Sequence, residues 1–209
     1  MIWLLSSFLC VTFLLLLCFS DIWFFMRIGF LYSYACFWQT LPEDIFETLV
    51  LRNLVLTSDL DYTLHMNNAR YLREADIARC VIFARYRLVR ALNVLKAATV
   101  LSASCSRFRR PLSLFERFSI HTRILGWDDH AFYLEQKFVT CQKNFVAAVI
   151  HCRHHVTGTT PVALVELIMR KKVESPELPE EVKHWLKYNE ANSQRLRAES
   201  NNQKNEKEQ

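Results

Sequence analysis

The chain reads as an α+β domain in which one antiparallel sheet wraps a single long helix. Three observations predict this. A strand-like run ends near Leu56, one uninterrupted helical pattern follows, and four strand-like runs with turn signals come after it. Strands in hairpin succession pair antiparallel, and the apolar face they share needs one cover, which the long helix supplies.

The elements follow in order. Glu43 to Thr57 alternates poorly, but its end, Leu51-Arg52-Asn53-Leu54-Val55-Leu56, reads as the first strand. Ala69 to about Asn93 is predicted to be the long helix. Tyr71, Ala75, Ala78, Ile82 and Tyr86 recur three and four residues apart, opposite Arg70, Arg73, Glu74 and Arg85, and no Pro or Gly interrupts them. Thr99 to Phe108, Ser119 to Leu125, His130 to Thr140 and Phe145 to His155 are the later strands. Gly126-Trp127-Asp128-Asp129 and Gln142-Lys143-Asn144 mark turns. Thr160 to Lys172 is amphipathic, Ser175 to Pro179 is a Pro-punctuated linker, and a helix is expected from about Glu180 to Arg197. The domain plan is therefore an N-terminal membrane anchor or signal segment (1–40), the α+β domain (41–172), a helical extension (173–198) and a disordered polar tail (199–209).

The 209 residues are enough for one domain with a sizeable core plus appendages, and the 51% hydrophobic content is high because the first forty residues are overwhelmingly apolar. A net charge of +5 with scattered Lys and Arg gives nucleic-acid binding little support. Seven Cys without a C-x-x-C pair, and no N-x-[ST] acceptor, argue against a disulfide-built secreted module. Ile2 to Ser20 carries no charge and has about the ~20 residues a spanning helix needs. Trp23-Phe24-Phe25 and Arg27 form an aromatic and basic border, and Ile28 to Leu41 is short and aromatic-rich, as in a segment lying along an interface. Lacking a basic start and a clear cleavage site, the segment reads as an uncleaved anchor rather than a signal peptide leading to secretion. Arg27 and Arg52 follow the span, which places the domain on the cytosolic side.

The chemistry concentrates in Ser58-Asp59-Leu60-Asp61-Tyr62-Thr63-Leu64-His65-Met66-Asn67-Asn68-Ala69-Arg70-Tyr71-Leu72. Acid, imidazole and paired amides lie in a turn at the start of a helix whose first N–H groups lack intrahelical partners. Asn68 is expected to cap that helix. Asp59 and Asp61 also suit a purely local role as turn-formers. Elsewhere His151, Cys152, His154 and His155 look metal-like, but on a strand neighbouring residues face opposite sides. No G-x-S-x-G elbow, Walker loop or dinucleotide fingerprint is present.

The pattern D-x-D-x-x-x-H-[VM]-N-N-A-x-Y-L resembles the segment entering the central helix of hotdog-fold acyl-CoA thioesterases of the 4-hydroxybenzoyl-CoA type. Arg109-Arg110-Pro111-Leu112, Leu125-Gly126-Trp127-Asp128-Asp129, Glu177-Leu178-Pro179 and His184-Trp185 match in the right order. The resemblance implies a hotdog fold, a homodimer or higher homo-oligomer, and hydrolysis of fatty acyl-CoA with no metal or other cofactor. It implies Asp61 as base or nucleophile, His65 and Asn67 as substrate-positioning residues, and Arg109 and Arg110 as contacts for coenzyme A phosphates. In some relatives an acid on the helix serves catalysis from the other subunit, and Glu74 and Asp76 stand there; the residues themselves read Glu74 as a solvated or paired side chain. Two departures matter. Leu64 stands where many relatives have Gly, and Thr63 where some have a catalytic Asn. They motivate an alternative reading, a weak or inactive module that binds acyl-CoA or a lipid-metabolism partner. The membrane expected for either is that of the endoplasmic reticulum.

Overall fold

The computed structural model describes residues 2–19 and 21–207. Five strands form one antiparallel sheet in the order β1-β3-β4-β5-β2: β1 Leu49–Leu54, β2 Ala98–Phe108, β3 Arg117–Trp127, β4 Ala131–Thr140 and β5 Val146–Thr157. Asp128 closes the β3–β4 hairpin by accepting the N–H groups of His130 (2.8 Å) and Ala131 (2.7 Å). The sheet curls around α3, Asn68–Arg85, as the hotdog expectation requires. Tyr71, Ala75, Ala78 and Ile82 of the predicted stripe are all buried, with Phe118, Ile120, Leu134, Phe138 and Ile150 of the sheet across from them.

The long helix departs from expectation in two ways. It stops at Arg85, and a separate α4 spans Leu88–Val94, because Arg87 adopts the left-handed conformation (φ 55°). The Arg87 guanidinium donates to the carbonyls of Ala35 (3.2 Å) and Gln39 (3.3 Å), a tertiary anchor for that break. The charged face opposite the stripe is also covered: α2, Ile22–Trp38, packs on the helix, its Arg27 pairs with Glu74, and Ile77, Val81 and Ala84 are buried. The second helix of the N-terminal region is thus a layer of the domain.

α1 covers Ile2–Phe19, 18 residues, or roughly 27 Å at 1.5 Å per residue. Among the described residues no helix is long and apolar enough to cross a membrane. The span expected over Ile2 to Ser20 is therefore not found among them, and Ser20 itself lies outside the described residues.

At the other end, α5 (Pro161–Met169) starts as the sequence dictates, with Thr160 capping Ala163 N–H (3.3 Å) and Pro161 in the first turn. The linker then crosses β3, where Ser175 Oγ accepts the Trp127 N–H at 2.8 Å. Gly126 (φ 156°) makes room, since a Cβ there would stand 2.7 Å from Ser175 Oγ. α6 spans Glu180–Lys207, so helix occupies most of the tail expected to be disordered; residues 208–209 lie outside the described set. Val182 seats it on Leu125, Ala131 and Tyr133, and beyond that point no Gly or Pro stops the helix from propagating.

Candidate active site

The turn before α3 is built by its own polar groups. Asp59 is the turn-former: its carboxylate accepts the Leu56 N–H (2.9 Å) and its carbonyl the Asn67 N–H (2.8 Å). Leu60 pairs with Met66 as a one-residue bridge, and Asp61 and Leu64 close the tip, with Leu64 N–H donating to Asp61 O at 3.0 Å. Leu64 takes φ 61° and is 72% exposed. Leu64, where the resemblance leads one to expect Gly, thus adopts a left-handed backbone at a steric cost of roughly 1–2 kcal/mol.

A second loop stitches the turn to the sheet. His65 pairs with Ser113, Met66 N–H donates to Leu112 O (2.9 Å), and Leu112 N–H donates to the Tyr71 hydroxyl (3.1 Å). Tyr71 is buried between Phe108 and Phe138, each ring centroid 5.1 Å away. Arg109 and Arg110 leave the end of β2 with both N–H groups on the Ala147 carbonyl (2.8 and 3.2 Å). These contacts gather Asp61, His65, Asn68, Tyr71, Arg109 and Arg110 around one open cleft of about 360 Å³.

Asp61 is held as an anion. The Thr63 hydroxyl (2.5 Å) and N–H (2.8 Å) both donate to its Oδ1, and these bonds hold its carboxyl below the ordinary carboxylate value. Thr63 is the residue sequence reasoning undervalued, although an Asp with Thr two positions on is a recognisable local turn. The two Asn residues exchange roles. Asn67 is the N-cap, its Oδ1 accepting the Ala69 N–H at 2.8 Å, whereas Asn68 faces the cleft. Asn67 is not among the cleft's lining residues, so its nominated place beside the substrate is corrected to one behind the helix terminus. With the Ala69 N–H on the Asn67 side chain and the Arg70 N–H on the Asn67 carbonyl, the Asn68 N–H is left as the free donor of the first turn.

The two arginines differ. Arg110 is in an ion pair with Glu116, whose other oxygen accepts the Ser113 N–H (3.1 Å). Arg109 is exposed, stacked over Phe145 at 4.8 Å and bonded to the Val146 carbonyl (3.2 Å). Glu74 lies outside this cleft. It is paired, as read, but with Arg27 of α2 (2.6 and 2.7 Å) and with Asn53, not with Arg70 or Arg73. Asp76 pairs with Arg79, whose guanidinium also reaches Gln136 (2.7 Å) inside the core.

Comparison with known proteins fits this arrangement. The family model described as the thioesterase-like superfamily matches residues 55–186. Protein THEM6 of Xenopus laevis is 47% identical over 189 residues, covering 89% of this chain and 91% of that protein. Protein THEM6 of Danio rerio is 42% identical over 180 residues, covering 86% and 89%. The solved BH1999 gentisyl-coenzyme A thioesterase superposes with a TM-score of 0.50 at 20% identity, over 59% of this chain and all of that one, a likeness of fold. The matched region starts at the strand end before the turn, holds every residue of the cleft and ends on α6, and on that basis this chain belongs to the thioesterase-like superfamily.

Proposed function

We propose that the chain hydrolyses fatty acyl-CoA thioesters at a membrane. The observation that supports this most directly is the placement of the Asp61 carboxylate, His65 and the first N–H of α3 around one cleft with Arg109 at its edge. The thioester carbonyl oxygen accepts from the Asn68 N–H, where developing negative charge meets the positive end of the helix. Asp61 takes a proton from water as the hydroxyl adds to the acyl carbon. The C–S bond then breaks, and the proton passes to the departing sulfur. His65 orients the thioester, Asn67 fixes the helix terminus, and Arg109 receives a coenzyme A phosphate.

The functional unit is a homodimer joined through β2, an exposed edge strand carrying Val100 (58% exposed). The N-terminal segment attaches to the membrane along its surface, through the exposed aromatic stripe of α2, at the endoplasmic reticulum with the domain on the cytosolic side. A sequon engineered after Lys207 stays unglycosylated in that orientation.

A second reading, acyl-CoA binding without turnover, is favoured by Leu64, a bulky exposed side chain in the turn between the cleft residues Thr63 and His65, where the resemblance leads one to expect Gly. The deciding experiment is thiol release from a panel of acyl-CoAs by the full chain in non-ionic detergent, beside Asp61→Ala. Turnover that falls at least a hundredfold in the folded variant supports hydrolysis, about 2.7 kcal/mol of transition-state stabilisation. Saturable binding with no release in the wild type moves the assignment to the binding module.

A further inference from the structure

A second cleft, of about 300 Å³ and sharing no residue with the first, lies between α4, α5 and Leu41 of the segment after α2. Its floor is apolar: Ala91 and Val94 from α4, Leu167 and Ile168 from α5. Its rim carries three guanidiniums, Arg87, Arg90 and Arg170, and no acidic residue lines it. Among the described residues none of the three pairs with a carboxylate. Arg87 is committed to the carbonyls of Ala35 and Gln39, which leaves Arg90 and Arg170 as donors toward a ligand. Lys171 and Lys172, both exposed, follow Arg170 directly in the chain.

An apolar floor under an uncompensated cationic rim is the recognition pattern for an anionic amphiphile, and guanidinium forks match phosphate oxygens in geometry as well as charge. The surroundings identify the source. Trp23, Met26, Phe30, Tyr34 and Phe37 recur three and four residues apart on the exposed face of α2, each at least 46% exposed. Trp38, 73% exposed, stacks on Tyr34 at 6.2 Å, one residue before the Gln39 that Arg87 holds and three before Leu41 at the cleft. The stripe thus runs into the cationic rim, so an aromatic face suited to the bilayer interface ends at donors suited to a phosphodiester.

We propose that this cleft binds the headgroup of an anionic phospholipid of the membrane on which α2 lies. The phosphate sits between Arg90 and Arg170, and the first methylenes of the acyl chains cover Val94 and Leu167. The proposal does not depend on hydrolysis at Asp61, so a failed thiol-release assay leaves it standing and its own failure leaves the thioesterase reading standing.

The test uses the full chain in non-ionic detergent, titrated with dioctanoyl phosphatidylserine and dioctanoyl phosphatidylcholine and read by thermophoresis. The serine lipid is expected to bind at least tenfold more tightly, and R90E/R170E to abolish that preference while thiol release is unchanged. If R90E/R170E lowers the melting temperature, R90Q/R170Q carries the same reading. Equal affinity for the two lipids, or a preference that survives in the folded variants, overturns the proposal. Palmitate binding as tightly as phosphatidylserine, and lost in the variants, overturns it in favour of a free fatty acid. Competition by inorganic phosphate at equal concentration reduces it to an unspecific anion site.

Discussion

Two carboxylates near the start of α3 were candidates for chemistry, and their surroundings separate them. Asp61 stands in the open cleft, its charge held by a neighbouring hydroxyl and N–H that come with the turn itself. Glu74 is 5% exposed, and its charge is held by Arg27 and Asn53, which come from α2 and β1. A carboxylate held locally on one oxygen, in a residue that lines a cleft, is available to a substrate. One locked on both oxygens by distant elements is a rivet between layers. The difference teaches that an acid on the central helix is not by itself a catalytic signal here, because α2 occupies it.

The comparison breaks most visibly at Arg27. Removing one partner of a buried ion pair leaves an uncompensated charge at a cost of 3–5 kcal/mol, and because Arg27 retains 22% exposure the lower end applies. Arg27→Met is expected to destabilise the protein by about 3 kcal/mol, read as a shift of the urea midpoint, with the rate per folded molecule unchanged. A rate that collapses while the midpoint holds would return Glu74 to the active site. Asp61→Asn is the mirror image. It keeps the turn's shape, changes stability by less than about 0.5 kcal/mol, and lowers kcat/KM at least a hundredfold.

How much of this the sequence disclosed depends on the range of the contact. The strands were legible because their alternation is local, and α3 because its stripe is. The turn was legible too, since D-x-D-x-x-x-H-M-N-N carries its own hydrogen-bond partners. Glu74 was not: its partner Arg27 lies 47 residues away in a segment read as a membrane appendage. The break at Arg87 escaped for the same reason, because Ala35 and Gln39 anchor it and no Gly or Pro marks it. The two Asn residues were transposed because both are good caps, and only the register of the turn decides which one meets the helix. The α2 layer left a trace that was available, a second stripe of Ile77, Val81 and Ala84 on the helix face that carries Arg70, Arg73 and Glu74.

Leu64 sharpens the comparison at the tip of the turn that carries Asp61. Its left-handed backbone costs a side-chain residue roughly 1–2 kcal/mol, and glycine gives back about half of that through its larger unfolded-state entropy. Leu64→Gly is therefore expected to stabilise the fold by about 0.5–1 kcal/mol in urea denaturation. Turnover that rises in the same variant would mean that the Leu64 side chain restricts entry. Unchanged turnover with raised stability would confine its effect to the backbone.

The smallest expected effect is the most specific to Asp61. The Thr63 hydroxyl, followed by the Thr63 N–H, lowers the carboxyl's pKa below 3.8, so the anion persists further into acid than an ordinary aspartate. For a depressed acid the charged form's contribution is complete above the ordinary value and is lost as pH falls through the folded one. Activity that needs this anion therefore persists to lower pH than an ordinary aspartate would allow, wherever the fold survives. Thr63→Val removes the first of the two bonds and keeps the second, so the acid limb of kcat/KM moves to higher pH while the rate at pH 7 stays the same. An acid limb that does not move would mean that a different group carries the titration, and Asp61 would then share with Glu74 the role of holding structure.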